Sequence, residues 1–170
     1  PSPAPTVSKV PSSSPVTSVP STPITFQCID DTFCETGQVC FSGQCVTNGT
    51  FRFSLSWQGD VDLNLGLGLP DGSVVTSTST DPTSPATFDT VPGDQAGSLE
   101  DAGLYVESIY FTDTPASGAY AIIADQETAA TVNSVFTLTA FDDNNTAVFE
   151  SFGIFFENSK DQEQVYFFYL

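Results

Sequence analysis

The sequence predicts an all-β protein: an antiparallel, jelly-roll-like β-sandwich carrying a small disulfide-stapled N-terminal module and an extended Pro/Ser-rich tail. Three observations carry this prediction. Fifteen Phe, five Tyr and one Trp stand among 170 residues, and aromatic and β-branched side chains suit a pleated, half-buried surface. Beyond residue 49, apolar and polar residues alternate at the strand period of two, and no helical period of useful length appears. All four cysteines are crowded into residues 28–45. At about 150 residues per domain the length gives one domain plus an appendage, enough chain to bury a core.

Residues 1–25 hold seven of the twelve prolines and eleven Ser or Thr. Such a tract packs no core and favours extended polyproline II, and its Ser/Thr–Pro composition is typical of O-glycosylated stalks. Ser12, Ser13, Ser14, Thr17 and Ser18 are the leading O-glycan candidates. The chain starts at Pro1 without Met or a signal peptide, so removal of an upstream segment is expected.

Residues 26–48 contain Cys28, Cys34, Cys40 and Cys45, with Gly37 and Gly43 supplying turns. An even number of closely spaced cysteines predicts a two-disulfide staple made in an oxidising compartment. Three pairings are open. Zinc is the poorer alternative, since its sites favour short C-x2-C pairs. The ending Cys40, Gly43, Cys45 resembles part of an EGF-type or hevein-like knot.

Residues 49–170 form the main domain. Phe51, Phe53, Leu55 and Trp57 alternate with polar neighbours, and Val61 to Leu69 alternate with Asp60, Asp62, Asn64, Gly66 and Gly68. Pro70-Asp71-Gly72 predicts a turn into Val74 and Val75. Residues 76–103, rich in Ser, Thr, Asp, Pro and Gly, are expected to form a long loop or irregular edge. Later strands are predicted at 104–112, 119–124, 131–141, 146–156 and 163–170. The last of these, ending in Val165-Tyr166-Phe167-Phe168-Tyr169-Leu170, predicts a buried closing strand; pairing or an apolar seam with another subunit is the sharper alternative.

Within that domain, Trp57, Asp60-Val61-Asp62-Leu63, Pro70-Asp71-Gly72, Glu107-Ser108-Ile109 and Pro115 to Tyr120 follow one another in a set order. This order resembles the bacterial pre-peptidase C-terminal domain, with its D-x-D-L strand ending in P-x-G and its P-x-G-x-Y hairpin. The resemblance spans about 75 residues. It implies a non-catalytic jelly-roll β-sandwich attached to secreted proteins, in some cases binding collagen or other polymers and in some stabilised by calcium. The insert at 76–97 and the aromatic C-terminus depart from that pattern.

Charge and composition narrow the function further. Three Lys or Arg stand against 21 Asp or Glu, a net charge of −18, with no His and no Met. Nucleic-acid affinity comes from cations that neutralise phosphates, so nucleic acid is not an expected partner. Anionic membranes are disfavoured for the same reason, and no apolar run reaches the ~18 residues of a membrane span. Without His, Ser–His–Asp, Cys–His and His-based metal mechanisms are excluded. Paired carboxylates remain, but 21 acids place some pair at glycosidase spacing by chance, so no enzyme activity is expected.

Asp60, Asp62 and Asn64 offer three oxygen ligands on one strand face, and Asp142-Asp143-Asn144-Asn145 offers more in a turn. Calcium takes six to eight such oxygens, which makes it the candidate metal; no other cofactor is indicated. Asn48-Gly49-Thr50 and Asn144-Asn145-Thr146 are N-glycosylation sequons in predicted turns. The leading expectation is therefore a secreted or surface-displayed structural glycoprotein module of a matrix, coat or filament. Its tail would contact neighbouring subunits, and its partners would be itself or other matrix and surface proteins. The alternative is a secreted carbohydrate- or matrix-polymer-binding module, for which an exposed Trp57 or a surface aromatic cluster would speak.

Overall fold

The computed structural model describes residues 28–58, 61–78, 84–89, 104–128, 131–159 and 162–170, and the structural statements below concern these. The predicted architecture is observed: an antiparallel β-sandwich with a small disulfide-stapled module on one side. The module opens with a 3₁₀ turn at Asp31–Phe33, capped by Asp30, whose carboxylate accepts hydrogen bonds from the Thr32 backbone at 2.9 Å and its hydroxyl at 2.5 Å. Strands β1 (Gln38–Phe41) and β2 (Gln44–Thr47) follow as an antiparallel hairpin. Its two turn residues, Ser42 and Gly43, both have positive φ, at 49° and 82°, the backbone of a tight hairpin whose twist matches its strands. The pairing left open by the cysteine spacing is Cys28–Cys40 and Cys34–Cys45.

Nine strands build the sandwich: β3 (Phe51–Gln58), β4 (Leu63–Gly68), β5 (Val74–Val75), β6 (Ala86–Asp89), β7 (Leu104–Phe111), β8 (Ala119–Gln126), β9 (Ser134–Asp142), β10 (Ala147–Phe155) and β11 (Gln162–Tyr169). One sheet has the order β10-β9-β3-β7-β6 and the other β11-β8-β4-β5. Phe53, Leu55, Ile109, Phe111, Phe136 and Leu138 from the first face Leu63, Leu65, Leu67, Tyr120 and Ile122 from the second, all buried. Phe53 alone meets Phe111, Tyr120 and Phe168 in ring contacts at 5.8 to 6.5 Å. Such a layer is the main stabilising term, since each fully buried side chain contributes about 1.5–3 kcal/mol.

Polar groups also enter this core, among them Trp57 and Glu107. Trp57 is 4% exposed, stacks on Tyr105 at 5.5 Å and donates its indole N–H to the Val61 carbonyl at 2.9 Å. Glu107 points inward from β7, and its carboxylate accepts the Leu65 backbone N–H of the opposite sheet. β5 pairs only with Leu67 and Gly68, so no strand reaches that N–H, and the glutamate satisfies it instead.

Of the two readings of 76–103, long loop or irregular edge, the described part fits the second, because Ala86–Asp89 pairs with β7 at the edge of the five-stranded sheet. One expectation is corrected: residues 163–170 are not a buried closing strand, since β11 is an edge strand, paired with β8 alone, and it buries one face only. A hexamer apolar at every position loses the polar alternation that would have marked its outward side.

Candidate functional site: an open apolar sheet face

The outer face of the four-stranded sheet is assembled by register. Gly68 lies beside Ala121 and Ala121 beside Phe167; the next row joins Gly66, Ile123 and Val165; Tyr169 pairs with Ala119. Tyr166 and Phe168 alternate with these residues and pack on the core, which turns Val165, Phe167 and Tyr169 to solvent at 43, 66 and 74% exposure. Val74, paired with Gly68, is exposed on the far side. Between the aromatic row and Val74 the surface is low, because β4 contributes glycines and β8 alanines. Gly66 is buried, and a Cβ there would meet the Ile123 and Thr76 side chains; a Cβ on Gly68 would lie 3.2 Å from that of Ala121, so glycine keeps the surface low at that position. One row further, Asn64, Asp125 and Glu163 make the end of the face acidic. The site is thus an apolar trough with an aromatic wall and a negative rim.

The opposite side of the sandwich is built differently. Arg52, Ser54 and Ser56 alternate outward from β3, yet all are buried, because the cysteine module covers them. Val39 and Val46 of the module pack on Val106, and the Thr47 backbone N–H donates to Asp89 at 2.6 Å. Arg52 is 1% exposed. Its guanidinium lies 4.3 Å from the Phe141 ring centre and 5.7 Å from that of Phe41, donating to Ser54 at 3.1 Å and Asn145 at 2.9 Å. Burial lowers its pKa to about 10, against the opposing pull of Asp89 and Asp31. It remains a cation at physiological pH and joins module to sheet by cation–π contact. Beyond the module, Val135, Phe152 and Ile154 expose a second apolar strip.

The predicted site residues fall as follows. Asp60 and the O-glycan candidates Ser12, Ser13, Ser14, Thr17 and Ser18 lie outside the described residues. Asp62 is tied through its backbone to Thr128 and Glu127, and the Asn64 amide donates to Glu127 at 3.1 Å. Asp142 caps its own turn, accepting the backbone N–H groups of Asn144 at 3.0 Å and Thr146 at 2.8 Å. Among the described residues, the only three thiol or carboxylate groups with ligand atoms within 4.8 Å of one another are Cys28, Cys34 and Cys45, all in disulfides. The two sequons differ. Asn144 is exposed in the β9–β10 turn, whereas Asn48 is half-buried, its side-chain oxygen enclosed, with Gly49 against the Phe111 carbonyl and Thr50 donating to Asp113 at 2.5 Å.

Trp57 is no surface platform, but Phe167 and Tyr169 supply one. A cleft of about 300 Å³ lined by Leu69, Pro70, Asp71, Pro85, Ala116 and Tyr120 holds a single carboxylate. There the Tyr120 hydroxyl donates to the Ala116 carbonyl at 2.6 Å, and burial, then Asp71, raises its pKa. What the sequence hid was the burial of Arg52 and the outward turn of Phe152 and Ile154. The only signal for the second was that both alternating sets of residues 147–155 contain apolar side chains.

Compared with protein-family models, with curated proteins and with solved structures, the chain has no significant match. Of the residues that carry the resemblance to pre-peptidase C-terminal domains, Pro70, Asp71 and Gly72 make the β4–β5 turn, and Gly72 has a φ of 88°. Glu107 is the inter-sheet acceptor, and Tyr120 enters β8. No helix among the described residues is long and apolar enough to cross a membrane.

Proposed function

We propose that this chain is a non-catalytic extracellular structural glycoprotein module that assembles into a matrix, surface coat or filament. The observation that carries the proposal is the exposed row Val165, Phe167 and Tyr169 beside the Gly/Ala trough. A contiguous apolar face on a chain of charge −18 marks a surface used for contact. Two disulfides in a small module support an oxidising compartment, hence secretion. The exposed Asn144 is the sequon suited to carry an N-glycan, away from the apolar face on a hairpin of the other sheet. The proline-rich segment 1–25 contributes inter-subunit contacts.

Sedimentation velocity of the secreted, glycosylated chain across a concentration series, with electron microscopy of the same material, tests the proposal. Reversible oligomers or fibres are expected. A monomer at every concentration overturns it. A second reading, binding of a carbohydrate or matrix polymer, is favoured by the adjacent outward rings of Phe167 and Tyr169. Retardation of the chain in polysaccharide gels, abolished by Tyr169→Ser, would support that reading in place of self-assembly.

A further inference from the structure

We infer that the trough on the four-stranded sheet receives the proline-rich segment, residues 1–27, of a second copy of this chain. The inference rests on the assembly proposed above and names the partner of that face. Three observations choose this occupant. The first is charge. All 21 carboxylates and two of the three cations lie beyond residue 27, so the segment carries +1 through Lys9 while the remainder carries −19. Packing two sheet faces together would bring two strongly negative bodies into contact, whereas the segment holds no acid and carries a net positive charge. It meets the rim formed by Asp125 and Glu163 with a cation and no repulsion.

The second observation is shape. Proline-rich chains bind as preformed polyproline II helices in shallow grooves lined by aromatic side chains, at small entropic cost. Gly68, Ala119 and Ala121 form a low floor, and Phe167 and Tyr169 a wall. Strand addition at the free edge of β11 is the competing mode. Seven prolines, each lacking the N–H a ladder requires, exclude a continuous strand there.

The third observation is placement. Residue 28, where the segment joins the folded part, is disulfide-bonded into the module on the outer side of the five-stranded sheet, while the trough is on the outer side of the four-stranded one. A contact from one side of a copy to the opposite side of the next is heterologous, and it propagates as a ring or an open filament. Twenty-seven residues of polyproline II span about 80 Å, ample for the link.

Photo-crosslinking tests this directly. The full chain carrying Phe167→p-benzoylphenylalanine, disulfides intact, is irradiated as an equal mixture of isotopically light and heavy protein under conditions where sedimentation shows oligomers. Crosslinks from position 167 to residues 1–27 are expected, half of them joining a light to a heavy chain. Links to 1–27 that never mix isotopes place the segment on its own sandwich and overturn the inference. So do links to β11 or to the Phe152 strip of a second copy, or no links at all; in each of these cases the oligomers themselves leave the assembly proposal standing. Absence of oligomers overturns that proposal instead. Lys9→Glu is expected to weaken assembly about two- to fivefold at low salt, and less at high salt. No change at low salt overturns the charge-based choice of occupant.

Discussion

The two outer faces of the sandwich invert the usual arrangement. The face of the five-stranded sheet that is covered carries Arg52, Ser54, Ser56, Ser108 and Thr139, all buried. The face of the four-stranded sheet that is open carries Val165, Phe167 and Tyr169. Both arise from the same two-residue alternation, so the difference lies in what each face is built to meet. The polar groups under the cover bond chiefly to one another, Arg52 to Ser54 and Ser54 to Ser108, and the module adds the Phe41 ring against Arg52 and Thr47 on Asp89. The module that makes this contact is itself closed by two disulfides. Apolar groups on an open face need nothing from solvent and gain from any cover. The first face shows how the module is held to the sandwich, and the second is the face on which the proposed assembly rests.

The largest effect should follow from removing the cover. Reducing both disulfides frees loops closed by bonds 12 and 11 residues apart, each worth about 3 kcal/mol in the loop-entropy account. The module then opens and Arg52 loses the Phe41 ring, while its hydrogen bonds to Ser54 and Asn145 stay within the sandwich. Chemical denaturation with and without reductant should show stability falling by several kcal/mol, whereas the open face should be unaffected. A sandwich equally stable when reduced would show that the module is a passenger.

Next in size is Arg52 itself. Arg52→Ala removes two hydrogen bonds and the contact with both Phe41 and Phe141, and leaves a cavity. A loss of about 3 kcal/mol is expected. Arg52→Met keeps the volume and also removes Nη1, which is buried without a hydrogen-bond partner, so its loss should stay within about 1 kcal/mol. The gap between the two variants, measured by urea titration, separates packing from charge. Equal losses would mean that the cation, not the volume, holds the module.

How far the fold could be read from the chain follows the same division. β3 and β4 were legible because Phe51, Phe53, Leu55, Trp57 and Leu63, Leu65, Leu67 alternate cleanly, and that alternation records only the inner face. Nothing local marks Arg52 as buried, since its cover is a hairpin whose position depends on Phe141 and Asp89, far along the sequence. β6 escaped notice because its four residues sit amid turn formers, and pairing with β7 outweighs its weak propensity. The open face was half legible. The hexamer at 165–170 announced apolar mass, but edge position is a property of topology, and only register put Phe167 outside and Phe168 inside.

On the open face, substitutions should hardly touch stability. Phe167→Ser removes a side chain that contributes little to the core, so a change within about 0.5 kcal/mol is expected, together with loss of assembly in sedimentation. The same replacement at Phe168, which packs on Phe51, Phe53 and Phe149, should be clearly destabilising. If the neighbouring positions behave alike, the two sides of β11 are not distinct.

The smallest effect is expected at Asp71, on the turn that leads into the trough's far side. Hydrogen bonds from the Ser73 hydroxyl and backbone hold this carboxyl below its ordinary value of 3.8. A carboxyl whose pKa is depressed by folding adds stability above its ordinary pKa and loses it as pH falls through the folded value. Asp71→Asn keeps an acceptor for Ser73 but not the charge, so wild type and variant should differ slightly at pH 6 and converge below about pH 4. Comparing their thermal midpoints in about 1 M salt removes the competing relief of self-repulsion, because screening there is nearly complete. A difference that persists at low pH would assign Asp71's contribution to shape rather than charge. It would also sharpen the contrast between a turn held by local hydrogen bonds and a face open to solvent.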